Sequence, residues 1–299
     1  MQTPRRRWFD SLLAWYFVSV WGSGFIATKV GLQYAAPFTF LTLRYLFGLA
    51  CLIPVVLVLR PHWPASRSEL GHILVAGLLM HAVNLSASHY AQYLGMSAGV
   101  TALILAAQPL LTALIASRWM HQRLIARQWL GVVLGLAGVA LVVWHKIDIR
   151  AVRWSSLAAV GCSLGAITAG TLYQRVFCPR VDLNSAALLQ FAISLAVVAP
   201  LAWAVEGMQV RWAWQLFAAI AFLVIFASIL AVNVLHTLMR RGEAARVTSL
   251  MYLTPVFAVA LEQLVFGVIP TPLSLAGMAV ACLGVAMVAW QKRRPAALD

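Results

Sequence analysis

Charged residues are scarce in this chain: only 10% of its 299 residues are Asp, Glu, Lys or Arg. Soluble domains carry roughly 25% charged residues, so this composition excludes an ordinary water-soluble globular protein. Cysteine is also scarce, and Cys51, Cys162, Cys178 and Cys282 have neither paired nor metal-ligand spacing. We therefore expect no disulfide framework, no metal site and no cofactor.

Sequence motifs of enzymes are missing as well. The chain has no P-loop, so ATP does not drive it directly, and it has no HExxH motif and no pair of intramembrane aspartates. The residues that come nearest to a catalytic pair are Ser23 as a nucleophile and His81 or His236 as its base. However, Trp21 stands where the GxSG motif of intramembrane serine proteases has glycine. A membrane-embedded hydrolase is the disfavoured alternative, and we predict that the chain is not an enzyme.

Apolar sequence is abundant instead: 63% of the residues are hydrophobic, and the mean hydropathy is +0.87. Apolar stretches recur at the length of about 20 residues that a helix needs to cross a bilayer. The pattern predicts an all-α polytopic membrane protein with ten transmembrane helices. We place them at residues 11–30, 36–59, 72–93, 97–117, 126–144, 155–175, 185–205, 212–236, 246–266 and 272–290.

The ten stretches divide into two similar halves. At a lag of 146 residues, Gly131 aligns with Gly277 and Gly138 with Gly284, and further pairs follow along the chain. Five helices per copy is an odd number, so the second copy must insert upside down relative to the first, as in many secondary transporters. We predict a first five-helix repeat at 1–144, a connector at 145–154, and a second repeat with a short basic tail at 155–299.

The basic residues predict the orientation and account for the formal net charge of +14. If the N-terminus is cytoplasmic, 16 Lys and Arg residues lie in cytoplasmic segments and 4 in outer loops. This distribution satisfies the positive-inside rule and places both termini in the cytoplasm. Since the bases stand in short clusters between apolar spans, we interpret them as topology signals and expect no nucleic-acid partner.

Several short motifs together resemble a known family. They are W-G-S-G-F at 21–25 followed by Lys29, Arg44 in helix 2, Pro109 in helix 4, Pro255 in helix 9, and the two glycine-rich helices. With the five-plus-five repeat, they resemble the EamA-type branch of the drug/metabolite transporter superfamily, and within it bacterial exporters of aromatic and other neutral amino acids. The family often carries a glutamate just before helices 5 and 10, whereas this chain has H-Q-R at 121–123 and G-V-I at 267–269.

Helix 1 carries an aromatic face that we interpret as part of a substrate pocket. Phe17 and Trp21 lie one turn apart, and Ser23 stands between two glycines. The glycines would allow close helix approach or local unwinding, and unwinding exposes backbone polar groups to a substrate. The alternative is an aromatic stripe of the protein core. We predict that Phe17, Trp21 and Ser23 bind substrate; weaker candidates of the same kind are Tyr45, Tyr173 and Tyr252.

A polar stripe lies on helix 3, where His81, Asn84 and Ser88 share one helix face near the predicted midplane. Such residues should face protein or water and not lipid. We predict that the three contribute to substrate binding, with His81 able to bind a carboxylate or relay a proton. The alternative is a hydrogen bond between helices, which we favour for His89.

Arg44 and Glu262 are the base and the acid that lie deepest within apolar spans. Charges at such depth are costly and usually face a partner or a cavity. We predict a charge pair or coupling site formed by these two residues, or a shared water-filled vestibule. The alternative is that Glu262 reaches the interface at its helix end.

Two further sets of residues occupy matching places in the two halves. Pro109 and Pro255 kink helices 4 and 9, and we predict that they act as hinges, although tolerated kinks are a common alternative. Small residues at helical spacing let backbones approach closely, either as an internal scaffold or as a dimer contact. For this packing role we predict Gly131, Gly135, Gly138, Gly277 and Gly284.

These features predict a secondary transporter that exports small metabolites by alternating access. The resemblance implies that these are aromatic and other neutral amino acids, and that the protein is a multi-pass protein of the bacterial inner (plasma) membrane. The expected partners are a small-molecule substrate and the lipid bilayer, with a monomer sufficient and a dimer left open. The alternatives are a proton-coupled exporter of cationic drugs and a passive facilitator or channel.

Overall fold

The computed structural model describes residues 4–119, 124–148, 153–231, 234 and 253–289. The regular elements of the first part of the chain, within its described residues, are helices joined by short turns and loops. A π-helical segment, Leu78–Val83, joins two of its helices, and a turn at 106–107 separates two others. The helices are α1 (Pro4–Gly31), α2 (Pro37–Leu59), α3 (Arg67–Gly77), α4 (Asn84–Tyr93), α5 (Ala98–Leu105), α6 (Gln108–Trp119) and α7 (Ala126–Asp148).

The second part repeats this plan. Its helices are α8 (Trp154–Phe177), α9 (Leu183–Leu201), α10 (Trp214–Ala221), α11 (Thr254–Phe266) and α12 (Pro272–Ala289). The π-helical segment Ala202–Glu206 prolongs α9, and another, Phe222–Leu230, prolongs α10. The predictions for Tyr252 and His236 fall outside the described residues.

Six of the described helical stretches are long and apolar enough to cross a membrane. They are Pro37–Leu59, Arg67–Tyr93, Ala98–Trp119, Ala126–Trp144, Trp154–Phe177 and Leu183–Glu206, and shorter apolar helices cover Trp214–Leu230, Thr254–Phe266 and Pro272–Val288. The described chain contains no β-strand, so the all-helical prediction is confirmed there. The count of ten spans and the orientation of the termini stay predictions.

Local sequence sets where several helices begin. Pro37 occupies the first turn of α2, where its missing N–H costs nothing. The side chains of Ser66, Ser97 and Asp182 accept hydrogen bonds from the backbone at the starts of α3, α5 and α9. Short-range sequence therefore contributes to the starts of these four helices.

Helices of the two halves interleave. Counterparts pack together as α2 with α9 and α7 with α12, and α5 packs on α11, the counterpart of α6. The other contacts are exchanged, because α4 packs on α8 while α10 and its π-helical continuation pack on α1. The interior of the bundle therefore lies between the halves and not inside either one.

Glycines line the crossing of α7 and α12. A Cβ atom on Gly138 would lie 2.5 Å from the carbonyl oxygen of Gly277, and one on Gly284 would lie 2.5 Å from that of Gly131. Gly135 differs, because a Cβ there would meet the side chain of Leu110 on α6. The two backbones are therefore close enough that a side chain at the crossing has no room.

Connecting loops join the halves at one end of the bundle. The backbone N–H of Arg211 donates to the carbonyl oxygen of Tyr34 at 2.8 Å, and Ala35 forms an isolated antiparallel bridge with Val210. We call this the outer end, because the basic loops predict that it faces away from the cytoplasm.

Candidate functional site

A buried arginine lies at the interface between the halves. Arg44 on α2 is 8% exposed, and its Nη2 donates to the Ser228 hydroxyl on the π-helical continuation of α10 at 3.3 Å. Its Nε is buried without a hydrogen-bond partner. A guanidinium has five donors, so a single long hydrogen bond leaves most of them unused by the described residues.

Aromatic and imidazole side chains lie near Arg44 in the fold. His81 and His89 both lie within electrostatic reach of Arg44. The His81 ring meets Phe191 edge to face with centroids 5.1 Å apart, and the Tyr45 hydroxyl donates to the His81 carbonyl oxygen at 3.0 Å. We call Arg44, Tyr45, His81, Phe191 and Ser228 the Arg44 cluster.

The backbone at two of these positions is π-helical. His81 lies in Leu78–Val83 and Ser228 in Phe222–Leu230, and the two residues are equivalent at a lag of 147 residues. π-Helical turns are rare and occur frequently at functional sites. Matching irregular turns from the two halves therefore flank the same buried cation.

His89 ties α4 to its neighbours. Its Nε2 lies 3.4 Å from the Thr28 hydroxyl on α1, its Nδ1 lies 3.3 Å from the Ser88 hydroxyl, and its ring packs on Phe40 at 5.8 Å. Asn84 makes a second tie, because its side-chain oxygen accepts from Ser163 on α8 at 2.7 Å. Asn84 and Ser88 thus have protein partners, whereas His81, on the same predicted stripe, packs against α9.

A salt bridge lies at the outer end. Lys29 Nζ lies 2.5 Å from Glu262 Oε1, with side chains 26% and 3% exposed respectively. The same carboxylate accepts the backbone N–H groups of Ala98 and Gly99 at the start of α5, each at 2.9 Å. Helix N-termini favour anions, so Glu262 joins α1, α5 and α11 at one point.

This arrangement replaces the charge pair expected between Arg44 and Glu262. Glu262 on α11 packs against α1 and α5, whereas Arg44 on α2 faces the segment that holds Ser228. The described residues contain a single salt bridge, and its basic partner is Lys29. Both Lys29 and Glu262 lie in apolar spans near the same predicted membrane face. This shared depth is the feature of the sequence that could have predicted their pairing.

A second carboxylate, for which the sequence has no distinguishing motif, also accepts backbone N–H groups at a helix start. Glu206, at the end of the π-helical continuation of α9, accepts the backbone N–H groups of Phe38 and Thr39 at 3.0 and 2.7 Å, and the Thr39 hydroxyl at 2.7 Å. It therefore caps α2 from the opposite half. We call the contacts of Glu262 and Glu206 the outer clasp.

Helix α1 runs unbroken through the predicted aromatic face. Residues 21–25 are helical, so the local unwinding considered above does not occur. Instead, a Cβ on Gly22 would lie 2.8 Å from Phe257 Cβ, which shows close approach of α11. Phe17 is fully buried, and the ring of Trp21, which is 37% exposed, lies tilted against it with centroids 5.2 Å apart. The Ser23 hydroxyl donates to the Ser19 carbonyl oxygen.

Tyr173 lies in a different place from the Arg44 cluster. Its hydroxyl is 2.7 Å from Nδ1 of His72 on α3, and the Phe177 ring stacks on His72 at 4.8 Å. These rings join α3 to α8. The structure therefore does not bring Tyr173 and Tyr45 together.

The predicted hinge prolines both stand at helix starts. The helical hydrogen bonding of the fourth span breaks at 106–107, and Pro109 follows as the second residue of α6. Gln108 beside it donates to the Thr171 hydroxyl on α8 at 2.9 Å. Pro255 is the second residue of α11. Each proline therefore sits where its missing N–H breaks no helical hydrogen bond.

Sequence comparisons agree with this architecture. The profile of the EamA-like transporter family matches residues 9–144 and again residues 153–290. The chain is 27% identical to the uncharacterized transporter YvbV of Bacillus subtilis, over 96% of this chain and 93% of that protein. It is 24% identical to a probable amino-acid metabolite efflux pump of Salmonella typhimurium, over 92% of this chain and 93% of the pump.

Two further likenesses concern location and fold. The chain is 27% identical to the uncharacterized inner membrane transporter YedA of Escherichia coli K12, over 85% of this chain and 81% of that protein. A solved crystal structure superposes with a TM-score of 0.66 at 18% identity, over 94% of this chain and 97% of that one. The helical fold is therefore shared with a known structure.

Proposed function

We propose that this chain, which belongs to the EamA-like transporter family, exports aromatic and other neutral amino acids across the bacterial inner membrane as a secondary transporter. Membership makes it a multi-pass membrane transporter, and the named relatives are transporters and not enzymes. Similarity to a probable amino-acid metabolite efflux pump supports the substrate class. The aromatic rings of Trp21 and Phe191 suit apolar side chains.

The proposed topology is ten transmembrane helices in a five-plus-five inverted repeat with both termini in the cytoplasm. The interleaved packing of the halves and the matching π-helical segments support a pseudo-two-fold relation between 1–144 and 155–299. One chain supplies both halves of the interior, so a monomer suffices as the transport unit.

The outer clasp is the observation that supports a mechanism of alternating access. Glu262 and Glu206 both belong to the second half, and both cap helices of the first half at the outer end. Opening this end requires those contacts to break together, while closure re-forms them. Pro109 and Pro255 are the proposed hinges because helical hydrogen bonding is interrupted beside the former and begins at the latter.

The clasp also argues against the export of cationic drugs. Such a substrate needs an available carboxylate, but Glu262 is held by Lys29 and two backbone N–H groups, and Glu206 by Thr39 and α2. Export down a substrate gradient needs no ion site, and we propose this facilitated mechanism.

Counterflow in proteoliposomes tests the proposal. Purified protein in vesicles loaded with unlabelled phenylalanine should accumulate labelled phenylalanine or leucine, with the same initial rate with and without a pH gradient. Empty vesicles are the control. Failure to move any amino acid, together with accumulation of a cationic dye driven by the pH gradient, would establish the proton-coupled drug exporter instead.

A further inference from the structure

We infer that Arg44 is the carboxylate-binding residue of the transport site, so that a free carboxylate is the group every substrate must carry. This inference rests on the proposed transport function and deepens it. The substrate carboxylate would bind at a position where the described residues of the protein provide no negative charge.

The first argument is electrostatic. Arg44 is more than nine-tenths buried, its Nε has no partner, and its one side-chain hydrogen bond goes to the neutral Ser228 hydroxyl. The salt bridge found within the described residues is Lys29–Glu262, on other helices. Glu243 lies outside the described residues, in a connection that the basic loops predict for the opposite end. Burying a guanidinium without an anion is costly, and intramembrane charges that persist mark substrate paths.

The second argument is geometric. A guanidinium presents a planar fork of donors that matches a carboxylate in a bidentate pair, which neither an amine nor a neutral amide can replace. Arg44 belongs to the first half and Ser228 to the second. A carboxylate held by both would bridge the halves at the π-helical segments, so its binding can favour one arrangement of the halves over another.

The third argument concerns the side chains near the Arg44 guanidinium. The Phe191 ring packs on His81, and the Tyr45 hydroxyl is already engaged by the His81 backbone. The rings of Tyr45 and Phe191 near Arg44 are apolar and buried, and the Arg44 cluster contains no carboxylate that could pair with a substrate amine. The ligand class that fits is a small monocarboxylate with an apolar side chain, in which the amino group is not the main determinant.

Two measurements on Arg44→Gln and Arg44→Lys test this, with Arg180→Gln, an exposed arginine, as the matched control. In thermal unfolding without substrate, Arg44→Gln should be as stable as wild type or more stable, because it removes an unpaired buried charge. Adding phenylalanine or 3-phenylpropionate should raise the Tm of wild type and Arg180→Gln but of neither Arg44 variant. Phenylalaninamide should raise none of them.

In counterflow, loss of the bidentate pair should raise the half-saturating concentration of phenylalanine roughly tenfold to a hundredfold in both Arg44 variants. If wild type moves phenylalanine and its amide equally well, or if Arg44→Gln lowers the Tm yet keeps wild-type selectivity, Arg44 is structural and the inference is overturned. If wild type moves no amino acid but 3-phenylpropionate still stabilises it through Arg44, the proposed function fails while the carboxylate site stands.

Discussion

Replacing Lys29 with methionine should destabilise the outer clasp and leave a buried anion behind. Lys29 Nζ lies 2.5 Å from Glu262 Oε1, and the Glu262 side chain is only 3% exposed. After the substitution, the carboxylate keeps the N–H groups of Ala98 and Gly99 but loses its positive partner.

The size of the effect follows from partial exposure. Removing one partner of a fully buried ion pair costs about 3–5 kcal/mol. The Lys29 side chain is 26% exposed, so solvent already screens part of the attraction, and two backbone N–H groups still stabilise the carboxylate. We expect a loss of about 2–3 kcal/mol for Lys29→Met, which corresponds to a Tm lower by roughly 5–10 °C.

The double variant provides the sharper comparison. Glu262→Gln removes the stranded charge while keeping the side-chain shape and one acceptor oxygen for the start of α5. Lys29→Met combined with Glu262→Gln should therefore be more stable than Lys29→Met alone, with a coupling free energy of about 1–2 kcal/mol. Rescue of one substitution by another is the signature of a buried charge that needs its partner.

The assay is thermal unfolding of purified protein in detergent, followed by intrinsic tryptophan fluorescence. Gln33→Met, an exposed polar residue just beyond the end of α1, is the matched control and should leave the Tm unchanged. Equal Tm values for wild type and Lys29→Met, or additive losses in the double variant, would refute the clasp as an energetic contact.

Four other substitutions, with Gly165→Ala as a control, separate the roles assigned above. Glu206→Gln should cost about 1–2 kcal/mol, because the amide accepts fewer of the hydrogen bonds that cap α2, and a Tm equal to wild type would contradict that cap. Gly284→Ala should abolish the monodisperse peak in size exclusion, since its Cβ would clash with the α7 backbone, whereas Gly165→Ala has open space and should purify normally. Phe17→Ala should lower the free energy of unfolding by about 3–5 kcal/mol, as expected for a fully buried ring. Trp21→Ala should reduce counterflow of aromatic amino acids with little change in Tm. A lower Tm with unchanged counterflow would make Trp21 a core residue.

Much of the fold could be predicted because a transmembrane helix is a local property. The predicted span at 36–59 corresponds to α2 at Pro37–Leu59, and the span at 272–290 corresponds to α12 at Pro272–Ala289. In a bilayer, each such helix satisfies its own backbone hydrogen bonds, so its length follows from consecutive apolar residues. The breaks were harder to predict, since the turn at 106–107 and the π-helical segments depend on neighbouring helices.

The candidate site could be predicted less well, because it depends on which helix faces meet. Asn84 and Ser88 were expected beside His81, but Ser163 and His89 engage them. The role of Glu206 could not be predicted. No sequence pattern distinguishes a glutamate near a loop that caps a distant helix from one that is simply solvated.

The sequence alone thus determined which stretches are long and apolar, how the basic residues are distributed between the loops, and which small residues occupy matching places in the two halves. These depend on hydropathy, loop charge and residue size, all of which are read over a few neighbouring positions. Only the tertiary structure decided the charge partners. Lys29 meets Glu262 across 233 residues of chain, and Arg44 meets a hydroxyl in place of an acid. Such pairings depend on how the interleaved halves pack, because a small rotation or shift of a helix determines which side chains a buried charge contacts.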